Sequence, residues 1–162
     1  MKRVAIISDT HLPRGVRALP KRCLERCAGA ELLLHCGDVC TLGVWDALTK
    51  LGPPLVGVCG NMDEPALWEL LPTERIVEVE GARIGMVHIA GPSPGRAARL
   101  REAFPDCGAI VYGHTHVPEL TRDGNVWILN PGSPTERRKA PTHAMLVLEV
   151  DAGEIRPQLV RL

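Results

Sequence analysis

Five short apolar runs mark the first two thirds of the chain, and each hands over to an aspartate, an asparagine or a histidine. The runs are Lys2–Ser8, Glu31–His35, Leu55–Cys59, Arg83–His88 and Ala109–Tyr112. Apolar runs without polar alternation need cover on both faces, which a largely parallel sheet flanked by helices provides. Helix candidates fall between them at Val16–Cys27, Leu42–Leu51, Glu64–Leu70 and Gly95–Phe104. Pro53-Pro54, Gly60, Pro72, Gly81, Pro92, Pro94 and Gly108 sit at the joints. The last third changes style. Val117–Thr121, Asn125–Leu129, Ala144–Val150 and Glu154–Val160 read as strands joined by turns such as Asp123-Gly124 and Ala152-Gly153. An α/β first part therefore runs into a mostly β last part. No repeat, linker or low-complexity tail divides the 162 residues, so one domain over 1–162 is expected. A chain near ~150 residues buries roughly 70% of its unfolded surface, enough for a core without staples.

Composition removes several function classes. Lys plus Arg is 19 and Asp plus Glu is 19, so the basic excess of a general nucleic-acid or anionic-membrane binder is missing. Aromatic residues make up 3%, too few for base-stacking platforms. No apolar run approaches the ~20 residues of a membrane span. Met1–Asp9 reads as a strand and not as a secretion signal, so a soluble, cytoplasmic protein is expected. The six cysteines are then expected as reduced thiols. Cys23, Cys27, Cys36 and Cys40 could assemble a zinc site, but C-x3-C is not the usual knuckle spacing. Cys36 and Cys59 read better as small buried apolar residues.

Chemistry gathers at the run ends. Asp9 and His11 follow the first, Asp38 the second and Asn61 the third; His88 ends the fourth, and His114 and His116 follow the fifth. Steps from Asp9 to Asp38, Asn61, His88 and His114 are 29, 23, 27 and 26 residues, each about one strand-plus-helix unit. Sites in open α/β sheets form outside the carboxyl ends of the strands, so these side chains can meet at one edge. Carboxylate, amide and imidazole donors together suit Mn, Fe, Zn or Ni better than Mg or Ca. Seven ligands exceed one tetrahedral ion. They suit two ions sharing a carboxylate, the usual clamp on a phosphoryl centre when ~3.5–4 Å apart. His35 is expected as a buried, hydrogen-bonded strand residue, and His143 as structural or exposed.

The motifs SDTH (Ser8–His11), HCGD (His35–Asp38), GNMD (Gly60–Asp63), VH (Val87–His88), YGHTH (Tyr112–His116) and NPGS (Asn130–Ser133) together resemble those of the calcineurin-like metallophosphoesterases. The match is closest to their small single-domain phosphodiesterase branch, which includes a subunit of retromer. The resemblance implies an αββα sandwich of two mixed β-sheets flanked by helices, with a dinuclear metal site at the C-terminal ends of the strands. Asp9, His11 and His116 would hold one metal, Asn61, His88 and His114 the other, and Asp38 would bridge them. Mn comes first among the candidate ions. A metal-bridging hydroxide would attack phosphorus in a small phosphodiester or nucleotide-like substrate. Between two cations a shared water loses its proton most easily.

Three departures from the family pattern matter. Met62 stands where many members have a histidine taken as the leaving-group acid. Asp63 is left as a candidate helper in catalysis or, by preference, an N-cap for the next helix; on that reading Asp63→Ala keeps both metals. His88-Ile89-Ala90-Gly91 replaces the usual His-Gly. After NPGS, Arg137 or Arg138 could bind a phosphate oxygen, while Asn130 and Ser133 read as turn-formers bracing the site. The main alternative to an enzyme is a non-catalytic metal-binding interaction module like the retromer relative. A full ligand set argues for the enzyme, and neutral charge argues against a nuclease. Leu67, Trp68, Leu70 and Leu71 are expected in the core. The sequence leaves the oligomeric state open.

Overall fold

The computed structural model describes residues 1–162. Strands and helices alternate first: β1 (Lys2–Ile7), α1 (Lys21–Ala28), β2 (Leu32–His35), α2 (Leu42–Thr49), β3 (Leu55–Gly57) and α3 (Pro65–Leu70). Then come β4 (Glu74–Val79), β5 (Ala82–Val87), α4 (Arg96–Ala103) and β6 (Ala109–Tyr112). The strands β7 (Glu119–Asp123), β8 (Val126–Asn130), β9 (Ala144–Asp151) and β10 (Glu154–Arg161) complete the chain. Two five-stranded sheets result, in the orders β10-β9-β1-β2-β3 and β4-β5-β6-β8-β7. Each has a parallel centre, β1-β2-β3 in one and β5-β6-β8 in the other, with antiparallel strands outside.

The unbroken apolar runs are explained by the layers. Along β1, Val4 and Ile6 join the core between the sheets, while Ala5 and Ile7 join the core under α1, α2 and α3. Along β6, Ala109 and Val111 face the first core, while Ile110 and Tyr112 pack with Leu100 and Phe104 around α4. Successive side chains of a strand point to opposite faces, so a strand covered on both sides has no polar position. Each fully buried Val, Ile or Leu contributes about 1.5–3 kcal/mol relative to exposure. The fold is the αββα sandwich with two mixed sheets, and its parallel strands end along one edge. No helix is long and apolar enough to cross a membrane. All six cysteines are free thiols, Cys36 and Cys59 are buried, and no cysteine joins a candidate metal group.

Three expectations change. The first helix begins at Lys21 and not at Val16, because Pro20 has no N–H and biases Leu19 away from helix; Pro20 sits at the N-cap. β4 is an additional strand, the polar-alternating edge of the second sheet, turned back onto β5 through Glu80-Gly81. Of the four apolar residues expected in the core, only Leu67 in α3 and Leu71 just after it are buried; Trp68 and Leu70 are exposed.

Candidate metal centre

All seven sequence-derived ligands lie on loops that leave the parallel strands at one edge. Asp9 and His11 follow β1, Asp38 follows β2, Asn61 follows β3, His88 follows β5, and His114 and His116 follow β6. Five of them have left-handed backbone: Asp9 (φ 56°), His11 (44°), Asp38 (58°), His114 (69°) and His116 (61°). Such residues cost about 1–3 kcal/mol each and persist only where the surroundings hold them. Here hydrogen bonds do so. Asp9 N donates to Gly37 O (3.0 Å) and His11 N to Asp38 O (3.1 Å). Ser133 Oγ donates to Asp9 O (2.7 Å), and Thr135 Oγ1 donates to Thr10 O (2.6 Å). Asn130 Nδ2 donates to Gly113 O and Thr115 Oγ1, both at 3.1 Å. The NPGS segment thus ties the β1 and β6 loops together.

Each carboxylate is fixed by one oxygen and presents the other. Asp9 Oδ2 accepts from Ser8 Oγ (2.7 Å) and His114 N (2.9 Å). Asp9 Oδ1 then lies 3.3 Å from His116 Nε2 and 3.7 Å from His11 Nε2. Asp38 Oδ1 accepts from Met62 N (2.8 Å), leaving Oδ2 3.4 Å from His11 Nε2 and 3.2 Å from His88 Nε2. Asn61 Oδ1 is 3.1 Å from His88 Nε2 and 3.0 Å from His114 Nδ1. A tetrahedral ion with bonds of about 2.0–2.1 Å spaces its ligands about 3.3 Å apart, close to these separations. The candidate ligand atoms gather as Asp9, His11 and His116 on one side and Asp38, His88 and His114 on the other. Asp38 Oδ2 is near a histidine of each group.

These residues fit a metal on their own chemistry. Asp9 Oδ1, His11 Nε2 and His116 Nε2 are buried without a hydrogen-bond partner. Buried polar atoms left this way cost about 1–3 kcal/mol each, and three converging on one point indicate a cation. The far ring nitrogens are spoken for: His88 Nδ1 donates to Cys36 O (2.6 Å) and His116 Nδ1 to Glu136 O. Such bonds fix the tautomer and aim Nε2 as the ligand. Burial opposes charge on Asp9, but the neighbouring His11, His116 and His88 rings, with the Ser8 hydroxyl, hold its carboxyl far below the usual range. Asp38 is lowered too, His88 outweighing burial, and His88 is raised by Asp38 against its own burial. Burial and then the charge of His88 lower His114.

Asp63 is not the expected cap. The N-cap of α3 is Glu64, which makes no side-chain cap bond. Asp63 instead accepts from Gly60 N (2.6 Å), Cys40 N (2.7 Å) and Asp38 N (3.2 Å), and burial raises its carboxyl. It therefore clasps the Asp38 and Asn61 loops together. Asp63→Ala would strand three N–H groups, so the expectation that it leaves the metals in place is revised. It is expected to lower metal affinity about 10–100-fold, readable by calorimetric titration of Mn²⁺ into chelator-stripped protein.

The two arginines separate. Arg137 Nη1 donates to Ala140 O (3.1 Å), so its guanidinium is committed to its own loop. Arg138 is exposed and contributes to lowering His114, so its charge reaches the site. Glu136 was not foreseen. Its Oε2 is buried without a hydrogen-bond partner, 3.8 Å from His11 Nε2 and 3.7 Å from Arg17 Nη1, and Arg14 Nη1 holds Oε1 (3.2 Å). It lies on an irregular loop, where no periodicity or spacing signals its direction.

His35 is fully buried on β2. Gly37 N donates to its Nδ1 (3.2 Å), so the neutral ring carries its proton on Nε2 and donates to Thr10 Oγ1 (3.2 Å). A second proton would face the Gly37 N–H, and burial lowers the pKa from 6.5 to about 3. The folded state therefore binds fewer protons here than the unfolded chain. The stabilisation is fully present above pH 6.5 and is lost as pH falls toward 3. Urea unfolding of metal-free protein should lose up to about 1.4 kcal/mol per pH unit through this residue below pH 6, and His35→Gln should flatten that slope.

A sequence profile of the calcineurin-like phosphoesterase superfamily domain matches residues 1–153. A "probable metallophosphoesterase" of Methanothermobacter thermautotrophicus is 32% identical over 160 residues, covering 98% of this chain and 91% of that protein. The phosphodiesterase YfcE of Escherichia coli is 28% identical over 156 residues, covering 82% and 79%. Among solved structures, Vps29 of Entamoeba histolytica in complex with zinc superposes with a TM-score of 0.78 at 24% identity, covering 98% of each chain.

Proposed function

The chain belongs to the calcineurin-like phosphoesterase superfamily, and on that premise we propose that it is a dinuclear metal-dependent phosphodiesterase acting on small phosphate esters. The observation that carries the reading is Asp38 Oδ2, placed 3.4 Å from His11 Nε2 and 3.2 Å from His88 Nε2. One oxygen serves both ligand groups, as a bridge must. Divalent ions held there, Mn first and Fe, Zn or Ni as substitutes, would supply a deprotonated water and positive charge for the phosphoryl oxygens.

The chain's own residues do the rest. Asp9, His11 and His116 form one ligand set, and Asn61, His88 and His114 the other. Asn61 contributes a neutral oxygen, which keeps the negative charge facing an anionic substrate low. Asp63 keeps the two central loops in register. Arg138, whose charge contributes to lowering His114, is the cation proposed to meet a phosphate oxygen. Diester preference is supported by the likeness to the E. coli phosphodiesterase YfcE.

The alternative is a metal-binding interaction module, and the likeness to Vps29 concerns the fold. Hydrolysis separates the two. Chelator-stripped protein is assayed on bis-p-nitrophenyl phosphate and p-nitrophenyl phosphate, with Mn²⁺, Fe²⁺, Zn²⁺ or Ni²⁺ returned singly. Metal-dependent turnover favouring the diester is expected. Bound metal with no turnover on either ester would favour the interaction module.

A further inference from the structure

A cleft of about 190 Å³ opens beside the second ligand group. Asn61 and His88 form its inner wall, and Trp68, Ile89, Val87 and Cys59 much of the remainder. Its surface is almost entirely apolar, although two of its walls are candidate metal ligands. At its mouth Trp68 is 54% exposed and Ile89 50%. The chain has five Trp, Tyr and Phe residues, and the others are accounted for. Trp45, Phe104 and Tyr112 are buried in the core. Trp127 donates Nε1–H to Ile155 O and is covered by Arg122. Trp68 is the aromatic left facing solvent, and it stands where the phosphoryl site meets apolar surface.

We infer that this cleft is a subsite for the ring-bearing arm of the phosphoester, a nucleobase or aryl group packed on Trp68 while its phosphoryl group lies at the metal centre. The inference rests on the phosphoesterase reading and deepens it. A volume near 190 Å³ admits one ring system and not an extended polymer. An apolar lining rewards a ring's hydrophobic area, and the indole face adds a stacking preference for flat rings over chains of similar area. The adjoining Asn61 and His88 set the reach: a ring in the cleft is one short linker from an oxygen at the second ligand group.

The test is calorimetric binding of three non-hydrolysable probes to the Mn²⁺-loaded protein: methylphosphonate, butylphosphonate and phenylphosphonate. Phenylphosphonate is expected to bind about tenfold tighter than methylphosphonate, with butylphosphonate between them. Trp68→Ala is expected to bring the phenyl-to-methyl ratio close to one, and Trp68→Phe to restore most of it. Because Trp68 is exposed, neither change threatens the core. Equal binding of phenyl and methyl probes, a ratio unchanged in Trp68→Ala, or butyl matching phenyl would overturn the ring subsite alone. Failure of all three to bind would overturn the phosphoesterase reading along with it.

Discussion

Replacing Asp38 with alanine is expected to empty both metal positions together and to lower phosphodiester turnover by about 10³-fold or more. The size follows from losing several kcal/mol of transition-state charge stabilisation. Asp9 Oδ1 comes within 3.9 Å of His88 Nε2, but Asp38 Oδ2 approaches His11 Nε2 and His88 Nε2 more evenly and closely, at 3.4 and 3.2 Å. Its Oδ1 is tied to Met62 N, so the side chain cannot turn away to serve one group only. Elemental analysis after dialysis reads the metals directly, and His114→Ala is the comparison. His114 is half-buried and belongs to the second group. The His114 variant should keep the first metal, whereas Asp38→Ala should keep neither. Full metal content in the Asp38 variant would break the bridging assignment.

Gly60→Ala should come near to reproducing that loss without touching any ligand. A Cβ on Gly60 would lie 2.2 Å from Asp38 Oδ1 and 2.3 Å from Asp38 N. Neither contact is tolerable, and the second is to backbone, so the β2 or β3 loop must shift. Both loops are joined through Asp63, so the shift carries Asp38 away from its position between the groups. Overpacking of this kind costs about 1–3 kcal/mol of stability. Metal content and turnover should fall toward the Asp38→Ala level while circular dichroism still reports a folded chain. Gly43→Ala is the control: it lies on α2 with nothing within 4 Å of an added Cβ. There the substitution should stabilise by about 0.5–1 kcal/mol and leave the metals in place.

The sequence was most informative where burial is two-sided. Val4 through Ile7 leave no polar position because alternate residues enter different cores, and that continuity announced the strand. The ligands were legible for the same reason: a strand of fixed direction delivers the residue after it to a fixed edge. β4 is hidden because an edge strand is half wet, and Glu74, Arg75 and Glu78 interrupt the apolar continuity that marks the covered strands. Trp68 was misplaced because apolar type alone does not say which face of a two-turn helix is covered. Asp63 stands one residue before the cap position, which Glu64 takes, and its carboxylate is held by Gly60 N of its own loop and by Asp38 N and Cys40 N of the loop after β2. Glu136 reaches the site through an irregular loop braced on Ser133, with Glu136 N donating to Ser133 Oγ (2.8 Å). Sequence separation carries no information about such a path.

On the proposed function, one edge of this sandwich holds two ions joined by Asp38. Anomalous scattering from crystals grown with Mn²⁺ tests it most directly. Two peaks about 3.5–4 Å apart are expected. One should lie among Asp9, His11 and His116, the other among Asn61, His88 and His114, with Asp38 Oδ2 between them. A single peak, or two peaks that Asp38 does not join, would contradict the account.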